Sequence, residues 1–168
     1  MTLEERKPKF GLVARGIRRG DGIATGAFEQ VCIAVWRKDS TMERFELQRR
    51  ALVDFVDRSR GKVAFCCVVE PSSGVPNEEV RTASSKLFDS FGDRLGAIAM
   101  IIEGAGFRSA LVRSVAAGIV MVMGKRTLPI SYLSSVTEGA DWLNRYALVD
   151  TIADFEVAVE SVRAALAT

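Results

Sequence analysis

The feature that most constrains this chain is an alternation of short apolar runs with longer amphipathic segments. The runs start near residues 28, 62, 95 and 127, about every 33 residues, and each leads into a segment with helically spaced apolar residues. The runs themselves, 28–36, 62–70, 95–103 and 128–133, are too short for typical helices and rich in Val, Ile, Phe and Cys, which marks them as buried strands. They share no repeated signature, so the spacing fits a βαβ series rather than a solenoid. The predicted fold class is α/β: a mostly parallel central sheet of four to five strands, with helices on both faces and right-handed crossovers.

The segments between the runs carry their own start and stop signals. Ser40 and Glu43 have capping-box spacing, and Met42, Phe45, Leu52, Phe55 and Val56 share one face of the helix that Gly61 ends. A second helix starts near Asn77, with Glu78 and Glu79 at its positive end and Val80, Leu87, Phe88 and Phe91 inward. A third is predicted from Phe107 to Met123, closed by Gly124, a fourth near Thr137 to Tyr146, and a fifth from Thr151 to Ala167. Upstream, residues 10–17 and the run ending at Trp36 read as a hairpin or an extended entry segment, with Arg19-Gly20-Asp21-Gly22 as turn chemistry. Residues 1–9 read as a flexible basic leader, and 10–168 as a single domain.

Charge narrows the partners. Residues 1–20 hold six cations against Glu4 and Glu5, so with +2 overall the remaining 148 residues carry −2. A nucleic-acid-binding body shows a basic stripe on its folded elements, and this one does not, so no nucleic-acid partner is expected. No secretory signal opens the sequence. Its most apolar stretch, Ala110–Met123, is broken by Arg113 and Ser114 and is shorter than the roughly 20 residues a bilayer needs. The expectation is a cytoplasmic protein without a transmembrane segment.

The chain has no histidine, which removes imidazole ligands, imidazole acid–base chemistry and both the Ser-His-Asp and Cys-His arrangements. Its three cysteines, Cys32, Cys66 and Cys67, all lie within apolar runs. They form no C-x-x-C, and an odd number in such runs fits reduced, buried, slowly reacting thiols. Neither a catalytic constellation nor a metal site nor a cofactor is expected.

Three segments carry a family resemblance. These are VWRKDSTMERFELQRRALVDFV, a strand leading into a charged helix; IIEGAGFRSALVRSVAAGI, read as strand, turn and helix; and Ala140-Asp141-Trp142-Leu143 in a short C-terminal helix. From Val31 to Tyr146 the chain resembles bacterial STAS-like proteins, the superfamily of anti-sigma-factor antagonists, structurally akin to CRAL-TRIO lipid-binding domains. The resemblance implies a STAS-like α/β domain that works in bacterial signalling as a non-enzymatic regulatory or scaffolding module binding another protein. A small-ligand or lipid-binding domain is the alternative that the CRAL-TRIO kinship allows. Phosphorylation-switched members carry an Asp-Ser pair where this chain reads Arg108-Ser109, so Ser109 lacks the preceding Asp.

Two surfaces are candidates for the partner. Ligands of open parallel sheets collect beyond the carboxyl ends of the strands. There stand Glu70 and Ser73 after the second run, and Glu103, Gly104, Gly106, Arg108 and Ser109 after the third. Gly104-Ala105-Gly106 is either a tight turn or an anion-binding turn at a helix start. Glu70 and Glu103 are either ordinary strand-end carboxylates or a working pair, and Arg113 is either a rim residue or the partner of one of them. The other surface is the apolar seam of Ile152, Phe155, Val159 and Val162, which either docks on the protein's own sheet or forms a homodimer or partner interface.

Overall fold

A computed structural model describes residues 13–106, 110, 114 and 128–167. The protein is built on a six-stranded sheet whose spatial order follows the chain: β1 Arg15–Gly20, β2 Ile23–Phe28, β3 Val31–Trp36, β4 Val63–Val69, β5 Leu95–Ile102 and β6 Ile130–Leu133. The first three strands form an antiparallel meander, and β3 to β6 run parallel. Helix α1 (Met42–Arg58) joins β3 to β4, and α2 (Glu78–Ser90) joins β4 to β5. Helices α3 (Val136–Asn144) and α4 (Ile152–Ala164) follow β6. The predicted α/β class with parallel strands is what the described residues form, while most of the helix predicted from Phe107 to Met123 lies outside them.

Two details differ from the sequence reading. The run from Phe28 to Trp36 is not one strand: the chain turns at Glu29 and Gln30, and Glu29 sits at φ 49, a left-handed conformation common in two-residue hairpin loops. The entry segment is therefore a three-stranded meander, with β2 supplied by the small residues of Ile-Ala-Thr-Gly-Ala-Phe. Helix α1 is capped by Thr41 rather than Ser40. Thr41 is the last extended residue, and its hydroxyl accepts from the Arg44 amide at 3.2 Å. Such a cap contributes about 1 kcal/mol.

Alternation along each strand divides the core into two. Cys32, Ala34, Trp36, Phe65, Cys67 and Ile98 face α1 and α2, packing with Phe45, Leu52, Val56, Val80 and Phe88. Ile33, Val35, Ala64, Cys66, Val68, Ala99 and Ile101 face the opposite way, under Ala140, Leu143, Phe155, Val159 and Val162 of α3 and α4. Full burial of a side chain such as Phe155 or Leu52 stabilises by about 2 kcal/mol. Helix α4 lies over β2 and β3, and α3 lies over β5. The edges are blunted: β6 has four residues, and β1 carries arginines and a bulge between Arg15 and Arg18.

Candidate functional site

Register alone brings the end residues of three strands together. Trp36 pairs with Val69, and Val69 with Ile102, so Arg37, Glu70 and Glu103 stand side by side one residue further on. The backbone ladder continues to them, because the Glu70 amide donates to the Trp36 carbonyl at 2.8 Å and the Glu103 amide to the Val69 carbonyl at 3.0 Å. All three continue the alternation of Val35, Val68 and Ile101, so they belong to the α4 face of the sheet. Arg163, in the last turn of α4, completes the group.

The resulting network is dense. Arg37 grips Glu70 with two nitrogens, Nε to Oε2 at 2.6 Å and Nη2 to Oε1 at 3.0 Å. Arg163 donates through Nη1 to Glu70 Oε1 at 2.8 Å and to Glu103 Oε2 at 3.0 Å, and through Nη2 to Glu103 Oε1 at 2.6 Å. Its Nε reaches Glu160 Oε1 at 3.1 Å. The Glu70 side chain is 9% exposed and that of Arg163 19%, so these charges meet under weak solvent screening. Burial pushes the Glu70 carboxyl up, but the hydrogen bonds from Arg37 and Arg163 outweigh it and hold its pKa below the ordinary value. For Arg163, burial works against the charged form, and the bonds to Glu103 and Glu70 more than offset it, raising its pKa.

Around this network the loops are tied to one another. The Ser73 hydroxyl donates to the Lys38 carbonyl at 3.1 Å and its amide to the Glu70 carbonyl at 2.9 Å, leaving Ser73 2% exposed. The Ser72 hydroxyl donates to the Arg37 carbonyl at 2.5 Å. Above the ties, Pro71 and Ser72 are exposed, and so are Gly104, Ala105 and Gly106. Gly104 at φ 99 and Gly106 at φ 104 adopt backbone that favours glycine, which explains that pair in the turn.

The structure thus separates the sequence candidates. Glu70 and Glu103 do converge, but through the guanidinium of Arg163 between them rather than as a bare carboxylate pair. Ser73 is an internal tie, whereas Gly104 and Gly106 are surface. Arg108, Ser109 and Arg113 lie outside the described residues; among those described, Arg37 and Arg163 are cations on the two carboxylates. Phe155, Val159 and Val162 are fully buried and Ile152 is half-buried against the same core, so the apolar seam is the face that docks α4 on its own sheet. Arg163 was missed because α4 was read for its apolar seam alone. The legible signal was a charged residue one position past the end of each of three neighbouring strands, one cation and two carboxylates that call for a second cation.

The remaining polar chemistry lies elsewhere. Cys32, Cys66 and Cys67 are free thiols buried within the sheet. Burial pushes Cys32 and Cys67 up to about 12 and Cys66 well above its ordinary value, so all three stay protonated at neutral pH. Among the described residues there is no group of three or more His, Cys, Asp or Glu able to hold a metal ion. No described helix is long and apolar enough to cross a membrane.

Among the described residues, two of the cavities beside α1 bear on the site. One, about 60 Å³, lies toward the carboxyl ends of the strands between Trp36, Phe45, Phe65, Phe88 and Met100. The other, about 330 Å³, lies under the C-terminal half of α1 against β1 and β2. Comparison with known protein families, with curated proteins and with solved structures finds no match to this chain.

Proposed function

We propose that this chain is a non-enzymatic, STAS-like regulatory or scaffolding module that binds another protein at the carboxyl edge of its sheet. The observation that carries the reading is the Arg37–Glu70–Arg163–Glu103 network, which fastens three strand ends and the last helix beneath two exposed loops. Glu70 accepts three hydrogen bonds and is nearly excluded from water, a poor arrangement for an acid, a base or a nucleophile. The same arrangement suits a rigid platform, because loops held in place lose little freedom when a partner docks. At the carboxyl edge itself the small-ligand alternative draws no support, because the cleft there measures about 60 Å³ against about 150 Å³ for a cavity that accepts benzene, and the cavity of about 330 Å³ lies at the other end of α1.

The test is site-specific photo-crosslinking in the native host. A benzophenone amino acid replaces Ser72 or Ala105 on the platform, or Lys62 at the opposite edge as a control. One discrete adduct from both platform positions, absent from position 62, is expected. The crosslinked protein, identified by mass spectrometry and purified, should then bind the charge-reversed Arg108→Glu variant about tenfold more weakly than wild type. No platform adduct, equal crosslinking at position 62, or unchanged affinity of a normally folded Arg108→Glu protein contradicts the reading.

A further inference from the structure

The cavity under α1 is built differently from the platform. Its floor is made of small or apolar groups, with Ala27 and Cys32 from the sheet and Ala51 and Phe55 from the helix. Small side chains on β2 leave room beneath α1, and Gly16 at φ 59 sits in the β1 bulge that opens the strand beside them. Three arginines, Arg15, Arg18 and Arg58, also line the cavity, against one carboxylate, Asp54. Asp54 is already held by Arg18 at 2.6 Å. The side chains of Arg15 and Arg58 make no hydrogen bond or close ion pair among the described residues, and Arg58 feels Asp54 only at longer range, so three cations share one carboxylate at the cavity. The backbone carbonyls at the end of α1 do not cancel them, because Arg94 donates to those of Val56 and Ser59 at 2.9 and 2.7 Å.

Thr25 from β2 also borders this cavity. It is 1% exposed, and its hydroxyl oxygen is buried with no hydrogen-bond partner among the described residues. That oxygen is closed off from water, so it is an unmet cost of packing beside the cavity rather than a ligand contact, and the cavity and its cations carry the argument. A volume of about 330 Å³ falls within the range of small-molecule sites. An apolar floor with a few convergent polar groups is their usual lining.

We propose that this cavity is a binding site for a small amphipathic organic anion, one with a flat apolar body and a phosphate or carboxylate head. The body lies over Ala27, Ala51 and Phe55, and the head meets Arg15 and Arg58. The site is separate from the platform: α1 carries it toward the amino ends of β3 and β4, while the platform sits at their carboxyl ends. Its occupancy therefore does not depend on the protein-binding reading.

Phenyl phosphate is the probe, with inorganic phosphate and phenol as the head and the body alone, titrated into the full chain by calorimetry at low and high salt. Saturable binding of phenyl phosphate, tighter than either half and weakened by salt, is expected. The Arg15→Ala/Arg58→Ala double variant should lose about tenfold or more in affinity with an unchanged thermal midpoint, since neither side chain holds the fold together. Ala51→Leu, which fills the floor and leaves the charges alone, should also weaken binding. Absence of saturable binding by wild type overturns the proposal. Binding that survives both variants overturns it as well, and so does inorganic phosphate binding as tightly as phenyl phosphate.

Discussion

The two ends of the sheet treat charge in opposite ways. At the carboxyl end, oppositely charged residues from three strands and a helix neutralise one another at 2.6–3.0 Å and are largely withdrawn from water. Beneath the C-terminal half of α1, three arginines share one half-exposed carboxylate, Asp54, over a cavity and beside an unsatisfied hydroxyl. Charge is therefore structural at the first end and available at the second. The cause is the residues beneath. Large β-branched side chains pack the sheet up to Val69 and Ile102, whereas Thr25, Gly26 and Ala27 leave β2 thin.

The largest expected contrast concerns the thiols. Without denaturant, Cys66 and Cys67 should react with a thiol reagent at least about a thousandfold more slowly than in the unfolded chain, because exposing them requires opening the core. Cys32 lines the cavity of about 330 Å³ and Cys67 the cleft of about 60 Å³, so Cys32 should react first and Cys66, which lines neither, last. Quantitative labelling followed by mass spectrometry reads the order. Equal rates for all three would erase the difference between the two ends.

Arg163→Ala comes next. It removes the bridge between Glu70 and Glu103, leaving Glu70 to Arg37 alone, and should cost about 3 kcal/mol in urea unfolding, as expected when one member of a buried network is removed. The Glu70 part has a defined pH window. Its folded pKa is lowered, so its stabilisation is complete above the unfolded value near 4.5 and disappears as pH falls through the folded pKa. The stability gap between wild type and Glu70→Gln should therefore hold at neutral pH and close in acid. A gap that widens in acid contradicts the assignment.

Thr25→Val should do the reverse of Arg163→Ala and stabilise by about 1 kcal/mol, since it removes a buried hydroxyl with no partner. A loss of stability would mean that the hydroxyl is satisfied. Smallest of all, Arg18→Ala should leave the urea midpoint almost unchanged, because Arg18 and Asp54 are 39% and 44% exposed and water screens the pair. A cost approaching that of Arg163→Ala would remove the distinction between structural and available charge.

Much of this architecture was legible in the sequence, for physical reasons that differ by element. Strands β4 and β5 announce themselves because both faces are buried, which leaves continuous apolar runs from Val63 to Val69 and from Leu95 to Ile102. Helices α1 and α2 follow from periodicity and from caps such as Asn77, whose side chain accepts from the Val80 amide at 2.9 Å. Strand β2 was hidden because Ala24, Gly26 and Ala27 carry little strand signal, and the turn at Glu29 interrupts what looks like one run. The convergence of Glu70 with Glu103 was legible from strand-end position. The identity of their bridge was not, because Arg163 lies 60 residues beyond Glu103 and only the docking of α4 brings it there. The cavity under α1 was equally invisible, since a void is a property of packing rather than of any one segment.

Amide hydrogen exchange tests the braced carboxyl edge most directly. Strand ends ordinarily fray, but here the amides of Val69, Glu70, Ile102 and Glu103 should exchange as slowly as those at the strand centres, Phe65–Cys67 and Ile98–Met100. In Arg163→Ala the end amides should speed up by about a hundredfold relative to the centres, the factor that corresponds to the loss of about 3 kcal/mol expected of the network. Ends that already exchange rapidly in the wild-type protein, or that do not respond to Arg163→Ala, would contradict the account.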